Sequence, residues 1–389
     1  MKILHVIPSY IPAYQIGGPV KSTHDLCKAL VRRGIGVSVF TTTIGLDQMP
    51  RPMPYRDNIE GVEVTYFPAI FLKKYNYAYG IARAIRERVK DYDLVHIHSV
   101  FSYTTLVTSF LCRKNKIPYI LNPFGALDPD MINLKNALAK KLYIGMVEKN
   151  NVEGASLVQV GSDYERRKIQ KLGFRKKIEI MPPGLDFLEY NKKDDILRKR
   201  FPELENKRII LYLGRIHPKK GLEILLKAFS RVITLRDDTY LVVAGPIDNY
   251  AKRIISFVRN SSLEKRVIFT GMLLGTDKIA AFYASDLFVL SSYGENFSIA
   301  ALEALACGVP VILTREVGLS PDVKEYGAGF IVKQDALEIS EAIEKILSNP
   351  DLREVMSLRG RNLAQERFSL DIIVNNVIRL YKSVMKAKP

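Results

Sequence analysis

The sequence predicts an α/β protein built from two doubly wound, Rossmann-like domains facing across a cleft. Three observations predict it. Short runs rich in Val and Ile alternate with amphipathic stretches along the whole chain, the pattern of parallel sheets covered by helices on both faces. The series restarts at RIILYLG (208–214), after the polar stretch NKKDDILRKRFPELENK. The 389 residues are also enough to bury two separate cores.

In the first series KILHVIP (2–8) reads as a strand, followed by a loop with Gly17 and Gly18 and a helix from Val20 to Arg33. VSVFTT, VEVTYF, DLVHIH (93–98), PYILN (118–122) and SLVQVG (156–161) continue the strands, with helices near 77–90, 103–115, 133–150 and 163–172. MPPGLD (181–186) interrupts the alternation, so the chain divides into 1–187 and 188–369. The second series runs through TYLVVAG (239–245), RVIFTG (266–271), DLFVLSS (286–292), VPVIL (309–313) and AGFIV (328–332). A last helix, about 370–387, follows no strand of its own.

Composition narrows the function classes. Hydrophobic residues at 47% and charged residues at 25% are those of a globular chain, and no apolar run reaches the length of a membrane-spanning helix. MKILHVIPSY holds too short an apolar stretch for a signal peptide. Cys27, Cys112 and Cys307 form no CxxC pair, which argues for a cytoplasmic chain without structural zinc. The formal charge is +17, and residues 1–187 hold 27 Lys/Arg against 16 Asp/Glu. Such a surface suits a phosphorylated small molecule or anionic lipid. The basic runs are short and separated, so no nucleic-acid partner is expected.

Ligands of doubly wound sheets bind at the carboxyl ends of strands, which selects four segments. GRIHPKKG (214–221) lies between a strand and a helix, with Arg215, Lys219 and Lys220 beside the helix start. Cations are unfavourable at that end of a helix, so their presence there asks for an anion such as phosphate. GENFSIAALEALACGVPVI (294–312) carries Glu295 and Glu303 in an apolar run, with a helix expected to begin near Asn296–Ser298, Asn296 a candidate cap, and Glu303 about two turns in. Eight helical residues span roughly 12 Å. That is too far for an adjacent acid–base pair and suited to the two ends of a nucleotide-sugar. The alternative, a helix-end Glu295 and a Glu303 paired with a core lysine, accounts for Glu295 better than for Glu303. Gly17–Gly18 alone indicates only a turn, and no GxGxxG supports dinucleotide binding. His96 and His98 share a strand face; His98, nearer the strand end, is the one expected to reach the cleft, and no third ligand follows at metal-site spacing.

Together these segments resemble the retaining glycosyltransferases of the GT-B fold, in the group often called group 1 or family 4. ENFSIAALE matches their E-x7-E motif, GRIHPKKG their G-R-x4-K-G, and PSYIPAYQIGGP their N-terminal glycine loop. VEGASLVQVGSDYERRKIQKLGF through KIEIMPPGLD resembles the segment that ends their first domain. The resemblance implies that Arg215 and Lys220 bind the donor diphosphate and that Glu303 binds the ribose hydroxyls. Glu295, with backbone around Phe297 and Ser298, would hold the transferred sugar, and Gly18 would face the phosphates. It implies catalytic roles for Glu295, Arg215 and Lys220, no metal or other cofactor, and a C-terminal helix (370–389) that packs back on the first domain. One departure stands out: NPFGALDP places Phe124 where many relatives carry a His near the reacting sugar, leaving His98 or Asp128 as the acceptor-side polar candidates.

The expected reaction is transfer of a hexose-type sugar from a nucleotide-diphosphate-sugar to a hydroxyl acceptor with retained configuration, the cations stabilising the departing diphosphate. Lys135, Lys140, Lys141 and Lys149 around LKNALAKKLYIGM suggest an anionic membrane surface, and with it a lipid-linked or polysaccharide acceptor. A sugar-nucleotide epimerase and a non-catalytic nucleotide-sugar-binding protein are the rival readings, the latter favoured by Phe124.

Overall fold

Strand β1 (Lys2–Val6) turns Ile3 and His5 to one face of its sheet and Leu4 and Val6 to the other. All four are buried, which is possible only with helices on both sides. The structure is a computed structural model that describes residues 1–46, 53–69, 72, 75–134, 137–191 and 194–387. The chain divides into two compact units, Met1–Leu185 with Leu370–Pro389, and Asp186–Ser369.

In the first unit the elements after β1 are α1 (Gly18–Arg32), β2 (Gly36–Thr42), β3 (Tyr55–Ile59), β4 (Val62–Phe67), α2 (Ile81–Arg88), β5 (Leu94–His98), α3 (Tyr103–Lys114), β6 (Tyr119–Asn122), α4 (Pro129–Leu134), α5 (Ala137–Tyr143), α6 (Lys149–Glu153), β7 (Leu157–Val160), α7 (Asp163–Gln170) and β8 (Ile178–Ile180). Among the described residues the strands form one sheet in the order β3-β4-β2-β1-β5-β6-β7-β8. Every pairing is parallel except β3 with β4. The sequence reading lacks β3 and β8. YRDNI, exposed through its middle, is too polar to announce a strand, and IEI is too short. The helix expected over 133–150 is instead α4, α5, a π-helical turn at Ile144–Glu148 and α6. Lys135 lies outside the described residues.

The second unit contains α8 (Ile196–Arg200), β9 (Arg208–Leu213), α9 (Leu222–Leu235), β10 (Thr239–Ala244), α10 (Asn249–Arg259), β11 (Val267–Gly271), α11 (Gly275–Tyr283), β12 (Leu287–Leu290), α12 (Ile299–Ala306), β13 (Val311–Thr314), α13 (Ser320–Tyr326), β14 (Gly329–Val332), α14 (Ala336–Leu347) and α15 (Pro350–Phe368). Its sheet is wholly parallel, ordered β11-β10-β9-β12-β13-β14. Strand order reverses between β9 and β12, and a sheet of this kind opens a crevice where that happens. The segments leaving those two strands, 214–221 and 291–298, therefore flank the switch point. In the first unit the corresponding strands are β1 and β5.

The last helix, α16 (Leu370–Lys386), belongs to the first unit. Asp371 and Asn375 bind Arg33 at the end of α1, at 2.6 and 2.8 Å. Val374, Val377 and Tyr381 bury their side chains with Cys27 and Leu30 of α1. All three cysteines are buried free thiols. Among the described residues no helix is long and apolar enough to cross a membrane.

Candidate active site

The segment after β9 is held in place mainly by backbone. Gly221 adopts φ +68°, and a Cβ there would lie 1.9 Å from the carbonyl oxygen of Ser291, so no other residue fits without moving one of the two loops. The Ser291 hydroxyl donates to Gly221 O at 2.8 Å. Lys219 O accepts from Tyr293 N at 2.8 Å and from the Ser292 hydroxyl at 2.9 Å. These bonds stitch the basic loop 214–221 to the acidic segment leaving β12.

The stitching brings opposite charges together. Lys220 Nζ donates to Glu295 Oε2, in an ion pair whose side chains keep about a fifth of their exposure. Glu295 is fixed by its backbone as well, donating to Glu316 O at 2.9 Å and accepting from Gly318 N at 2.8 Å. Arg215 is exposed, and among the described residues its guanidinium has no carboxylate partner. Burial lowers the pKa of nearby His217, and the charge of Arg215 lowers it further. The loop thus offers a neutral imidazole, an uncommitted guanidinium and an ammonium shared with one carboxylate. Such a set can chelate an anion with several oxygens.

Helix α12 begins at the far end of the range expected for it, 296–298. Its cap is Ser298, whose hydroxyl accepts from Ala301 N at 3.3 Å, and not Asn296. Ser298 takes φ +83°, rare for a residue with a side chain and a sign of local strain. Glu303 therefore lies one turn into the helix, and the stretch from Glu295 to Ser298 is not helical, so the expected 12 Å helical spacing does not apply. Phe297 buries its ring edge-on against Phe368, with centroids 5.3 Å apart, so only its backbone is available to a ligand.

Glu303 has the core lysine that the sequence reading weighed and found less convincing. It is 3% exposed. Its Oε1 accepts from Lys278 Nζ at the start of α11 and from Tyr190 OH at 2.7 Å. Neither residue stands out in sequence: Lys278 lies 25 positions away and Tyr190 sits in a short 3-10 turn, Phe187–Tyr190. No periodicity marks such a pair.

The remaining candidates belong to the first unit. Gly18 is the first residue of α1, behind Gly17 at φ +117°. His98 is 1% exposed, covered by His96, by His5 and by the Phe124 ring stacked at 5.4 Å. Asp128 is 2% exposed; it accepts from Asp130 N at 3.0 Å and stands 3.7 Å from Lys168 Nζ. Neither acceptor-side candidate is open to solvent: the half-buried Phe124 ring stacks on His98, and Asp128 is buried in the turn after β6. Glu165 of α7 anchors that turn, accepting from Gly125 N at 2.6 Å and Gly161 N at 2.9 Å. Burial pushes its carboxyl up to about 7 despite those two donors.

The third histidine missing from the spacing argument is His5, on the strand beside His96. His5 Nδ1 and His98 Nε2 are 3.0 Å apart, and Tyr381 OH lies 2.7 Å from His96 Nδ1 and 3.4 Å from His5 Nε2. Burial holds all three imidazoles neutral, His5 down to about 3. One ligand atom from each ring lies within 4.8 Å of the others. A tetrahedral metal with bonds of 2.0–2.1 Å needs separations of about 3.4 Å; His5 Nδ1 and His98 Nε2 already stand about that close, and His96 Nε2 and His98 Nδ1 are buried without a hydrogen-bond partner among the described residues. As they stand they form a hydrogen-bonded cluster under α16.

Comparison with known proteins follows the same division. The family described as Glycosyltransferase Family 4 matches residues 16–187, and that described as Glycosyl transferases group 1 matches residues 193–363. The chain is 24% identical to alpha-monoglucosyldiacylglycerol synthase of Streptococcus pneumoniae, over 97% of this chain and 87% of the relative. It is 24% identical to N-acetyl-alpha-D-glucosaminyl L-malate synthase of Bacillus anthracis, over 95% of each. HepE of Anabaena, solved in complex with UDP and glucose, superposes with a TM-score of 0.80 at 20% identity, over 98% of this chain and 100% of that one. Sucrose-phosphate synthase of Thermosynechococcus elongatus superposes at 0.79 with 21% identity, over 99% of both.

Proposed function

Since this chain belongs to the GT-B glycosyltransferases, with a family 4 domain followed by a group 1 domain, we propose that it transfers a hexose-type sugar from a nucleotide-diphosphate-sugar to an acceptor hydroxyl with retention of configuration. The observation that carries the reading is the stitched pair of loops at the switch point of the second unit, which gathers Arg215, Lys220 and Glu295. Arg215 and Lys220 stabilise the charge that grows on the departing diphosphate, a job that needs fixed positive groups and no proton transfer. Glu295, with the backbone at Phe297 and Ser298, holds hydroxyls of the sugar, and Glu303 holds the ribose. Gly18, at the start of α1, is a further proposed donor contact, and the diphosphate needs no metal.

The proposed acceptor is lipid-linked or a polysaccharide, met at an anionic membrane. Leu138, Leu142 and Met146 are strongly exposed at i, i+4 and i+8, and Lys141 and Lys149 are exposed on the same stretch. An apolar stripe flanked by lysines binds anionic bilayers by burial and charge together. The pneumococcal relative's name describes a glucosylated diacylglycerol, which fits an acceptor of this kind.

A thermal-shift panel of UDP-, GDP- and ADP-sugars tests the donor, because a ligand of the folded state raises the melting temperature; UDP-sugars head it, since HepE was solved with UDP. No shift with any nucleotide refutes the donor assignment, and an inverted anomeric centre in the product refutes retention. Flotation with vesicles containing anionic lipid, but not with neutral ones, is expected, and Leu142→Glu should abolish it.

A further inference from the structure

Glu303 is nearly buried, yet it is not fully satisfied. Tyr190 OH and Lys278 Nζ both donate to Oε1, while Oε2 accepts nothing from the described residues. The Lys278 side chain is itself only 16% exposed. A buried carboxylate without a counter-charge is costly, and a lysine beside it supplies that charge. The two donors also fix which oxygen is committed and which is left for a ligand. Tyr190 is in turn tied to α11 by the Tyr283 hydroxyl, which donates to Tyr190 O. Three segments therefore converge on one oxygen of one carboxylate: the turn at 187–190, α11 and α12.

We infer that Lys278, with Tyr190, is a positioning residue that presents Glu303 Oε2 to the ribose hydroxyls of the donor and so determines how strongly the protein distinguishes ribonucleotides from 2′-deoxyribonucleotides. This rests on the reading of Glu303 as the ribose ligand. A hydroxyl gives a charged acceptor a stronger hydrogen bond than a neutral one, and removing it forfeits tenfold or more in affinity, by the general rule of roughly 1.5–3 kcal/mol for such bonds. Without Lys278 the carboxylate loses its counter-charge and one of its two anchors. It is then free to turn toward water, and the discrimination goes with it. Nothing in this role touches the diphosphate, so affinity for the 2′-deoxy ligand should hardly change.

The experiment measures, by titration calorimetry, the nucleoside diphosphate that stabilises the wild type most in the thermal-shift panel and its 2′-deoxy counterpart. The wild type is expected to prefer the ribo form about tenfold or more. Lys278→Met keeps the side chain's bulk and removes its charge; its preference should fall below about threefold, with deoxy affinity within about twofold of wild type. Lys278→Arg should restore most of the preference. Tyr190→Phe, which removes one donor and leaves the charge, should fall between. Circular dichroism and melting curves establish that each variant is folded, and if Lys278→Met is not, Tyr190→Phe and Lys278→Arg carry the comparison. Unchanged preference in Lys278→Met or Tyr190→Phe, alongside lost preference in Glu303→Gln, overturns the positioning role while leaving Glu303 as the ribose ligand. Unchanged preference in Glu303→Gln overturns the ribose assignment itself.

Discussion

Replacing Glu295 by Gln should make the protein bind nucleoside diphosphate more tightly and transfer sugar more slowly. Without donor, Lys220 is engaged by Glu295, so a diphosphate must compete with a carboxylate for the same ammonium. Two unit charges at about 4 Å attract by about 4 kcal/mol in a medium of effective dielectric 20. Here both side chains keep about a fifth of their exposure, 19% and 21%. Water and side-chain entropy reduce pairs of this kind to about 1 kcal/mol. Removing the charge of Glu295 while keeping its shape returns that amount to the ligand and lifts repulsion from its phosphates, so affinity should rise about fivefold. Transfer should fall by about 10²-fold, since a neutral amide holds the sugar hydroxyls less firmly as charge develops. Lys220→Ala should weaken binding and transfer together. In the double variant the gain from Glu295→Gln should vanish, because no ammonium remains to be released. Calorimetry on the diphosphate and initial rates on the donor supply the four corners of the cycle. Equal or weaker diphosphate binding by Glu295→Gln refutes the competition, and with it the placement of Lys220 on the phosphates.

Further expectations follow from single contacts. Gly221→Ala forces a left-handed residue and a Cβ into Ser291 O; it should lower stability by at least about 1–2 kcal/mol in urea unfolding and raise the donor KM, and unchanged values of both would contradict the stitched-loop geometry. Tyr381→Phe strips the partner from His96 Nδ1 and His5 Nε2 in a fully buried cluster, at a cost of about 1–3 kcal/mol; a neutral effect would show that the rings find other partners. Glu165 has a folded-state carboxyl raised to about 7 from 4.5. The native state therefore binds more protons than the unfolded chain between those pH values, and this group's contribution to stability falls as pH rises from about 4.5 to 7, by about 3 kcal/mol in all. Glu165→Gln should remove that slope, so the melting-temperature difference between variant and wild type should change across the window; a pH-independent difference refutes the assignment.

The division into two mainly parallel sheets was legible because it is written in local pattern: Val- and Ile-rich runs alternating with amphipathic helices leave few other ways to bury both faces. The two stitched loops were legible for the same reason, since their charges and glycines stand at strand ends. What sequence missed was of three kinds. Edge strands such as β3 carry little apolar signal because one side of the ladder is solvated. Partners that meet only in space, His5 with His96 and His98, Lys278 and Tyr190 with Glu303, and Glu165 with the turn at Gly125, leave no mark in spacing at all. The late start of α12 belongs to a third case: Asn296 and Ser298 are both good caps, and only the strained backbone at Ser298 decides between them.

Within the second unit, the charges expected to meet a donor meet one another first. Lys220 neutralises Glu295 and Lys278 neutralises Glu303, while the backbones that carry Lys220 and Glu295 are fixed by bonds independent of either pair. That separation matters physically. An unpaired carboxylate as buried as Glu303 would cost several kcal/mol in the free protein; Lys278 offsets part of that cost and, with Tyr190, keeps the carboxylate aimed. Ligand binding then becomes an exchange of partners on a fixed frame, and specificity rests on whether the incoming groups replace the internal ones on equal terms. On the proposed reading, the ammonium at Glu295 changes partner, while at Glu303 it stays and the second oxygen does the recognising. The two acidic residues of one motif, eight positions apart, are therefore expected to respond differently to loss of their lysines: Lys220→Ala should weaken binding of every diphosphate alike, and Lys278→Met should weaken only those with a 2′-hydroxyl.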